Sequence, residues 1–221
     1  MKLFGQALTK FILGILLVGV LLFIPAGTLN YKNAWLLMVL LFVPMFIVGI
    51  ILIFKDPELL RRRLDAKENE QEQKIVILTS GLMFLLGFII AGLNYRYNWI
   101  NLSDTTIIIA SIIFIISYLL YGEILRENSY LLRTIKVEKN QKVIDTGFYG
   151  VIRHPMYAVT IPLFLSIPIV LNSPISFIIF LVYPFIIIKR INNEEEVLEK
   201  DLKGYKEYKE KVKYKLIPFI W

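Results

Sequence analysis

The sequence predicts an all-α, polytopic transmembrane helix bundle of about six apolar helices, with a C-terminal helical hairpin and an amphipathic cytoplasmic tail helix. Three observations lead there. Hydrophobic residues make up 57% of the 221 and charged residues only 19%, too apolar a balance for one soluble domain of that length. Uncharged runs at 11–31, 33–54, 75–95 and 105–122 each approach the roughly 20 residues that a helix rising about 1.5 Å per residue needs to cross about 30 Å of hydrocarbon. A fifth run, 155–188, is too long for one span and is interrupted by "NSP" at 172–174. Pro174 removes a backbone donor and disfavours helix at Ser173, so two helices joined by a tight turn are expected.

In chain order, Lys2 and Lys10 precede an apolar stretch longer than a signal core, and "IPAGTLNYKNAW" is a weak cleavage context, so the first run is read as a retained span. The loop "KDPELLRRRLDAKENEQEQK" after the second run acts as a topology determinant through its three arginines. The second arm of the hairpin, 175–188, is short for a span and is expected to continue as helix through Lys189 and Arg190 into water. In the tail, Val197, Leu198, Leu202, Tyr205 and Tyr208 share one side of a helix lying along the membrane interface with its lysines toward headgroups. Gly204 weakens that helix, and Phe219 and Trp221 fit an interfacial aromatic belt. Texture divides the chain into membrane helices with a basic loop over 1–103 and a polar-edged core over 104–221.

Basic residues set the orientation. Lys55, Arg61, Arg62, Arg63, Lys67 and Lys74 follow the second run, and Arg126, Arg133, Lys136, Lys139, Lys142 and Arg153 follow the fourth, against only Lys32 and Arg96 in the alternate loops. Both termini are therefore expected on the cytoplasmic side of a cell membrane. The net charge of +7 gathers on that side, where anionic headgroups account for it without nucleic acid. Cysteine is absent and histidine occurs once, which excludes a thiol nucleophile and leaves no metal cage.

Two constellations carry chemistry. In "GFYGVIRHPMY", residues 147–157, Pro155 suits a first helical turn whose N-terminus bears partial positive charge, and Arg153 with His154 makes an anion-attracting corner. The alternative is a headgroup-snorkelling arginine and a loop-bonded histidine. In "KRINNEEEVL", Arg190, Glu194 and Leu198 fall at i, i+4 and i+8 on one helix face, with Glu195 about 100° round. That set either forms a surface ion pair worth about 0.3–0.5 kcal/mol or binds an ammonium and a carboxylate together.

Residues 128–221 resemble the catalytic core of the isoprenylcysteine carboxyl methyltransferase family, itself similar to phospholipid N-methyltransferases. The resemblance rests on "GFYGVIRHPMY", "RINNEEEVL" and "LKGYKEYKEKVKYKLIPFIW", with "AGTLNYKNAW" as a short element of prokaryotic members. Phe148 stands where the family has proline, and Val159 where a glycine is frequent. The resemblance implies methyl transfer from S-adenosylmethionine to a lipid-embedded acceptor. It implies that His154 and the helix start hold the cofactor's methionine end, that Tyr149 and Tyr157 wall the pocket, and that Glu194 or Glu195 accepts its ammonium or ribose. Arg190 or Arg153 would align an acceptor carboxylate; an amine acceptor would need a glutamate as base. An NADPH-dependent sterol or isoprenoid reductase and a non-catalytic scaffold are the alternatives, the first expecting more cations in the pocket than this chain offers. All of it requires the hairpin to bring the histidine corner and the acidic turn together.

Overall fold

The computed structural model describes residues 2–64, 71–128, 130, 137 and 141–221, and no strand occurs among them. Lys67, Arg133, Lys136 and Lys139, counted above for orientation, lie outside the described residues. The helices are α1 (Lys2–Ala26), α2 (Lys32–Lys55), α3 (Pro57–Leu64), α4 (Gln71–Tyr97), α5 (Asp104–Glu127), α6 (Pro155–Val170), α7 (Pro174–Phe180), α8 (Tyr183–Asp201) and α9 (Tyr205–Lys211), with a 3₁₀ turn at Gly147–Gly150 before α6. Five segments are long and apolar enough to cross a bilayer, and α6 is a shorter apolar helix. The chain is a multi-pass membrane protein.

The hairpin forms where proline and its neighbours direct it. Helix α6 ends at Val170 and α7 opens on Pro174, with the Ser173 side chain accepting from the Ser176 N–H at 3.3 Å as an N-cap. Of the two arms, α6 is the short one. The second becomes a span of 28 residues, Pro174–Asp201, by running on through Lys189 and Arg190. It tightens at Leu181 and Val182 because Pro184, in the first turn of α8, has no N–H to return to the preceding turn. In the polar loop after α2 the structure adds α3, whose start is fixed by Asp56 Oδ1 accepting from the Leu59 N–H at 2.9 Å and by Pro57 in the first turn.

One hydrophobic core joins all the long helices and both arms, including Leu22, Tyr31, Leu37, Phe88, Phe114, Ile167, Phe180 and Ile191. At the end opposite the basic loops, the connections are clasped by polar side chains. Tyr31 donates its hydroxyl to the Leu171 carbonyl, Asn94 Nδ2 to the Asn172 carbonyl at 3.0 Å, and the Leu102 N–H to Asn172 Oδ1 at 2.6 Å. These bonds fix the hairpin turn against the α1–α2 connection, α4 and the α4–α5 connection. Helices α1 and α4 meet closely at Gly92, where a Cβ would lie 2.6 Å from the Leu22 carbonyl and 2.9 Å from Pro25 Cβ. Gly92→Val is expected to force the two helices apart and lower stability by about 1–3 kcal/mol, read as a drop in the unfolding temperature of detergent-solubilised protein; an unchanged midpoint would contradict the packing.

Candidate functional site

The 3₁₀ turn before α6 is tied to the end of α5. Gly147 has φ +50, a Cβ there would fall on the Glu127 carboxylate, and the Phe148 N–H donates to Glu127 Oε2 at 3.1 Å. A proline at 148 would lack that donor, so the departure at Phe148 supplies a bond that holds the turn in place. The turn delivers Tyr149 inward and the chain reaches Arg153 and His154, both buried.

Arg153 is a clamp. Its Nε donates to Glu195 Oε1 at 2.6 Å, and its Nη1 donates to the carbonyls of Val212 and Lys213 at 2.8 Å each. The N–H groups of Arg153 and His154 donate to the carbonyls of Tyr214 and Lys215 at 2.9 Å. The segment after α9 is thereby strapped onto the start of α6. His154 Nε2 lies 3.1 Å from the same Glu195 oxygen, 41 positions away in the chain, and Lys215 Nζ lies 3.3 Å from Glu195 Oε2. The hairpin brings the histidine corner and the acidic turn into direct contact, as the sequence required.

Glu194 faces elsewhere, because adjacent residues on a helix are about 100° apart. The Tyr157 hydroxyl donates to Glu194 Oε2 at 2.6 Å and accepts from Arg190 Nε at 2.8 Å, and the Arg190 guanidinium sits 5.9 Å from the Tyr157 ring centroid. The Tyr157 ring stacks near His154 at 5.8 Å. One tyrosine hydroxyl therefore links an arginine and a carboxylate one helical turn apart.

Six of the seven sequence-derived site residues, Tyr149, Arg153, His154, Tyr157, Arg190 and Glu194, line one cleft. Glu195 does not line it; its carboxylate is turned to Arg153, His154 and Lys215 behind the wall, and its side chain is only 4% exposed. The structure also corrects the tail. Leu202, Tyr205, Tyr208 and Val212 form a small buried core with Leu198 and Val143, so the face expected to meet lipid packs on protein instead. Tyr205 and Tyr208 roof the cleft, and Tyr208 donates to the Tyr149 carbonyl at 2.7 Å. Neither was foreseen as a site residue, nor were Asn128 and Gln141 on the same wall; the tyrosine spacing in "GYKEYKEK" was the available signal.

The hydroxyls of Tyr149 and Tyr205 are buried and find no acceptor for their protons among the described residues. Burial pushes both phenols up from their ordinary pKa, which keeps them protonated as donors. Buried donors left unpaired cost about 1–3 kcal/mol each, and a ligand with oxygen or nitrogen acceptors in the cleft would recover it. No cluster of three or more histidine, aspartate or glutamate side chains suited to a metal occurs among the described residues.

A second cavity shares Met156, Tyr157 and Arg190 with the first and continues between apolar walls that include Phe84, Phe164 and Ile187. A polar cleft and an apolar one thus meet at Tyr157 and Arg190.

A search for similar proteins of curated function finds no match. Residues 106–200 match the model of the isoprenylcysteine carboxyl methyltransferase (ICMT) family, a segment running from the first turn of α5 to the end of α8. The matched residues include the histidine corner, Tyr157, Arg190 and both glutamates, while the strapped tail lies beyond them. The segment that builds most of the site is therefore similar to the isoprenylcysteine carboxyl methyltransferase family over slightly less than half of the chain.

Proposed function

We propose that the protein transfers a methyl group from S-adenosylmethionine to an isoprenylcysteine-type carboxylate on a lipid-embedded acceptor, at the cytoplasmic end of the bundle. The observation that carries this reading is the junction of two cavities at Tyr157 and Arg190, one lined by polar and aromatic groups and the other largely apolar. The polar cleft suits the cofactor's parts: His154 and the N-terminus of α6 for its carboxylate, Glu194 for its ammonium or ribose, and the Tyr149 and Tyr205 hydroxyl protons for its remaining acceptors. The apolar cavity suits an isoprenoid chain.

The bound cofactor would supply a sulfonium methyl. Transfer of that methyl to a carboxylate oxygen would break the S–CH3 bond, release S-adenosylhomocysteine and cancel the sulfonium and carboxylate charges, so the pocket would need no base. Arg190 aligns the carboxylate, and the residues around it contribute position and exclusion of water. Arg153 takes part by holding the tail over the cleft, since its donors go to Glu195, Val212 and Lys213. An amine acceptor such as phosphatidylethanolamine would need a base, and Glu194 is the carboxylate at the junction. A nicotinamide cofactor with added phosphates fits less well, because Arg153 is committed to those partners.

Isothermal titration of detergent-purified protein separates the classes. S-adenosylhomocysteine is expected to bind and NADPH not to; the reverse would move the protein to the reductases, and binding of neither would leave a scaffold. Methyl transfer from labelled S-adenosylmethionine into extracted host lipids, followed by identification of the labelled species, names the acceptor.

A further inference from the structure

An isoprenoid tail gains little free energy by passing from a bilayer into an apolar cavity, because the two surroundings are equally apolar. What such a cavity can select is length and shape, through contacts made or refused. The second cavity has a definite axis. Its walls run from Met156 to Phe164 along α6, from Val76 to Phe84 along α4 and from Arg190 back to Tyr183 along α8. Met156 and Arg190 also line the polar cleft, so Phe84, Phe164 and Tyr183 mark the opposite, deep end. An aromatic cluster closes that end. Phe164 meets Tyr183 edge-on at 4.7 Å between ring centroids, and Phe84 meets Phe164 edge-on at 5.1 Å. Beneath them Phe180, fully buried, meets Phe84 edge-on at 5.3 Å. Phe180 reaches this place because residue 87 is glycine: a Cβ there would lie 2.3 Å from its ring. Ser176 Oγ donates to the Gly87 carbonyl at 2.8 Å and holds α7 on α4 at the same level. The floor is therefore backed by packed core, and a chain that reaches it has nowhere further to go along the axis.

We propose that Phe84 and Phe164 are specificity-determining residues that limit the acceptor's apolar chain to about the length of a farnesyl group. The proposal rests on the second cavity being the acceptor site of the methyltransferase reading, and it adds chain length to that reading. The stretches of α4 and α6 that wall the cavity rise about 12 Å at about 1.5 Å per residue. An extended chain advances about 1.2 Å per bond, so about ten bonds fit between the junction and the floor. That is beyond a geranyl chain, near a farnesyl chain and well short of a geranylgeranyl chain. Phe84 lies outside the residues matched to the family, so acceptor length is partly written in the N-terminal half.

The test varies chain length at a constant head. The S-geranyl, S-farnesyl and S-geranylgeranyl thioethers of N-acetylcysteine are titrated into wild type, Phe84→Ala, Phe164→Ala and Gly81→Leu in one neutral detergent, with S-adenosylhomocysteine affinity measured on the same samples. Detergent takes up each thioether alike whatever the variant, so a change in the ratio of affinities between variants reads the cavity. Wild type is expected to bind the farnesyl compound about tenfold or more tighter than the geranylgeranyl one. Each alanine variant opens the floor and should erase most of that difference while keeping its affinity for S-adenosylhomocysteine. Gly81 lines the cavity nearly one turn above Phe84, and a Cβ there meets nothing within 4 Å. Gly81→Leu therefore removes no packed ring, and by filling space above the floor it should move the preference from farnesyl to geranyl. Equal binding of farnesyl and geranylgeranyl compounds in wild type overturns the proposal. So do wild-type ratios in the folded alanine variants, or in Gly81→Leu where those variants do not fold. A protein that binds S-adenosylhomocysteine and none of the three thioethers would remove the acceptor cavity and this inference with it. Absence of S-adenosylhomocysteine binding in wild type would sink the methyltransferase reading separately, since the chain-length ratios are read without it.

Discussion

Glu195→Ala is expected to cost the protein its stable fold, whereas Glu194→Ala is expected to keep the fold and lose the cofactor. The two carboxylates are neighbours in the chain with opposite assignments. Glu195 takes Arg153 Nε at 2.6 Å and His154 Nε2 at 3.1 Å on one oxygen, with Lys215 at 3.3 Å and Lys209 at 4.0 Å from the other. Removing it leaves a buried guanidinium without its counter-charge, a loss of about 3–5 kcal/mol against a total stability of about 5–15 kcal/mol. The strap after α9 should loosen with it, because Arg153 holds both Glu195 and the Val212 and Lys213 carbonyls. Glu194 is half-buried and lines the cleft, so its removal exposes cavity wall rather than a stranded charge. Thermal unfolding and S-adenosylhomocysteine titration of both variants check the split. An unshifted midpoint in Glu195→Ala, or full affinity in Glu194→Ala, would contradict it.

That division was half legible in the sequence. The angle of about 100° between adjacent helical positions separates the two side chains, but which of them meets the arginine depends on how the hairpin arms are rotated against each other, and packing decides that. The turn at 172–174, the opening of α6 at Pro155 and the break at Gly204 were readable because proline and glycine act on their own backbone. By the same logic Pro184, Asp56 and Pro57 also signalled the tightening at 181–182 and the start of α3, and a reading centred on apolar runs passed over them. Contacts distant in sequence left no local trace: Tyr31 and Leu171 are 140 positions apart, and Arg153 and Val212 are 59.

The tail shows a different limit. Its apolar and aromatic spacing correctly marks a buried face, yet the same spacing serves a helix on a lipid surface and a helix on a protein surface. Tyr205 and Tyr208 pack over the cleft because the strap from Arg153 and His154 fixes where the tail must lie. No property of α9 itself specifies that. The second cavity was hidden for a related reason, since a lipid-facing wall and a cavity wall are built from the same residues and differ only in what stands opposite.

Arg190→Ala is expected to lower turnover by about a hundredfold while changing S-adenosylhomocysteine affinity little, and Tyr157→Phe to weaken both by a smaller factor. Arg190 stands where the polar and apolar cavities meet, so its charge is best placed for the acceptor rather than the cofactor. A carboxylate nucleophile needs no base, and what the site must provide is one orientation out of many; a fixed donor that supplies it acts mainly on the rate. The Tyr157 hydroxyl orients both sides at once, accepting from Arg190 at 2.8 Å and donating to Glu194 at 2.6 Å. Phenylalanine keeps the ring beneath the guanidinium but frees each partner to turn, which spreads the loss over acceptor alignment and cofactor grip. The two variants are told apart by measuring turnover at saturating S-adenosylmethionine alongside equilibrium binding of S-adenosylhomocysteine. Equal losses of turnover and affinity in Arg190→Ala would place that arginine on the cofactor instead, and the carboxylate would then have to be aligned from the other side of the cavity.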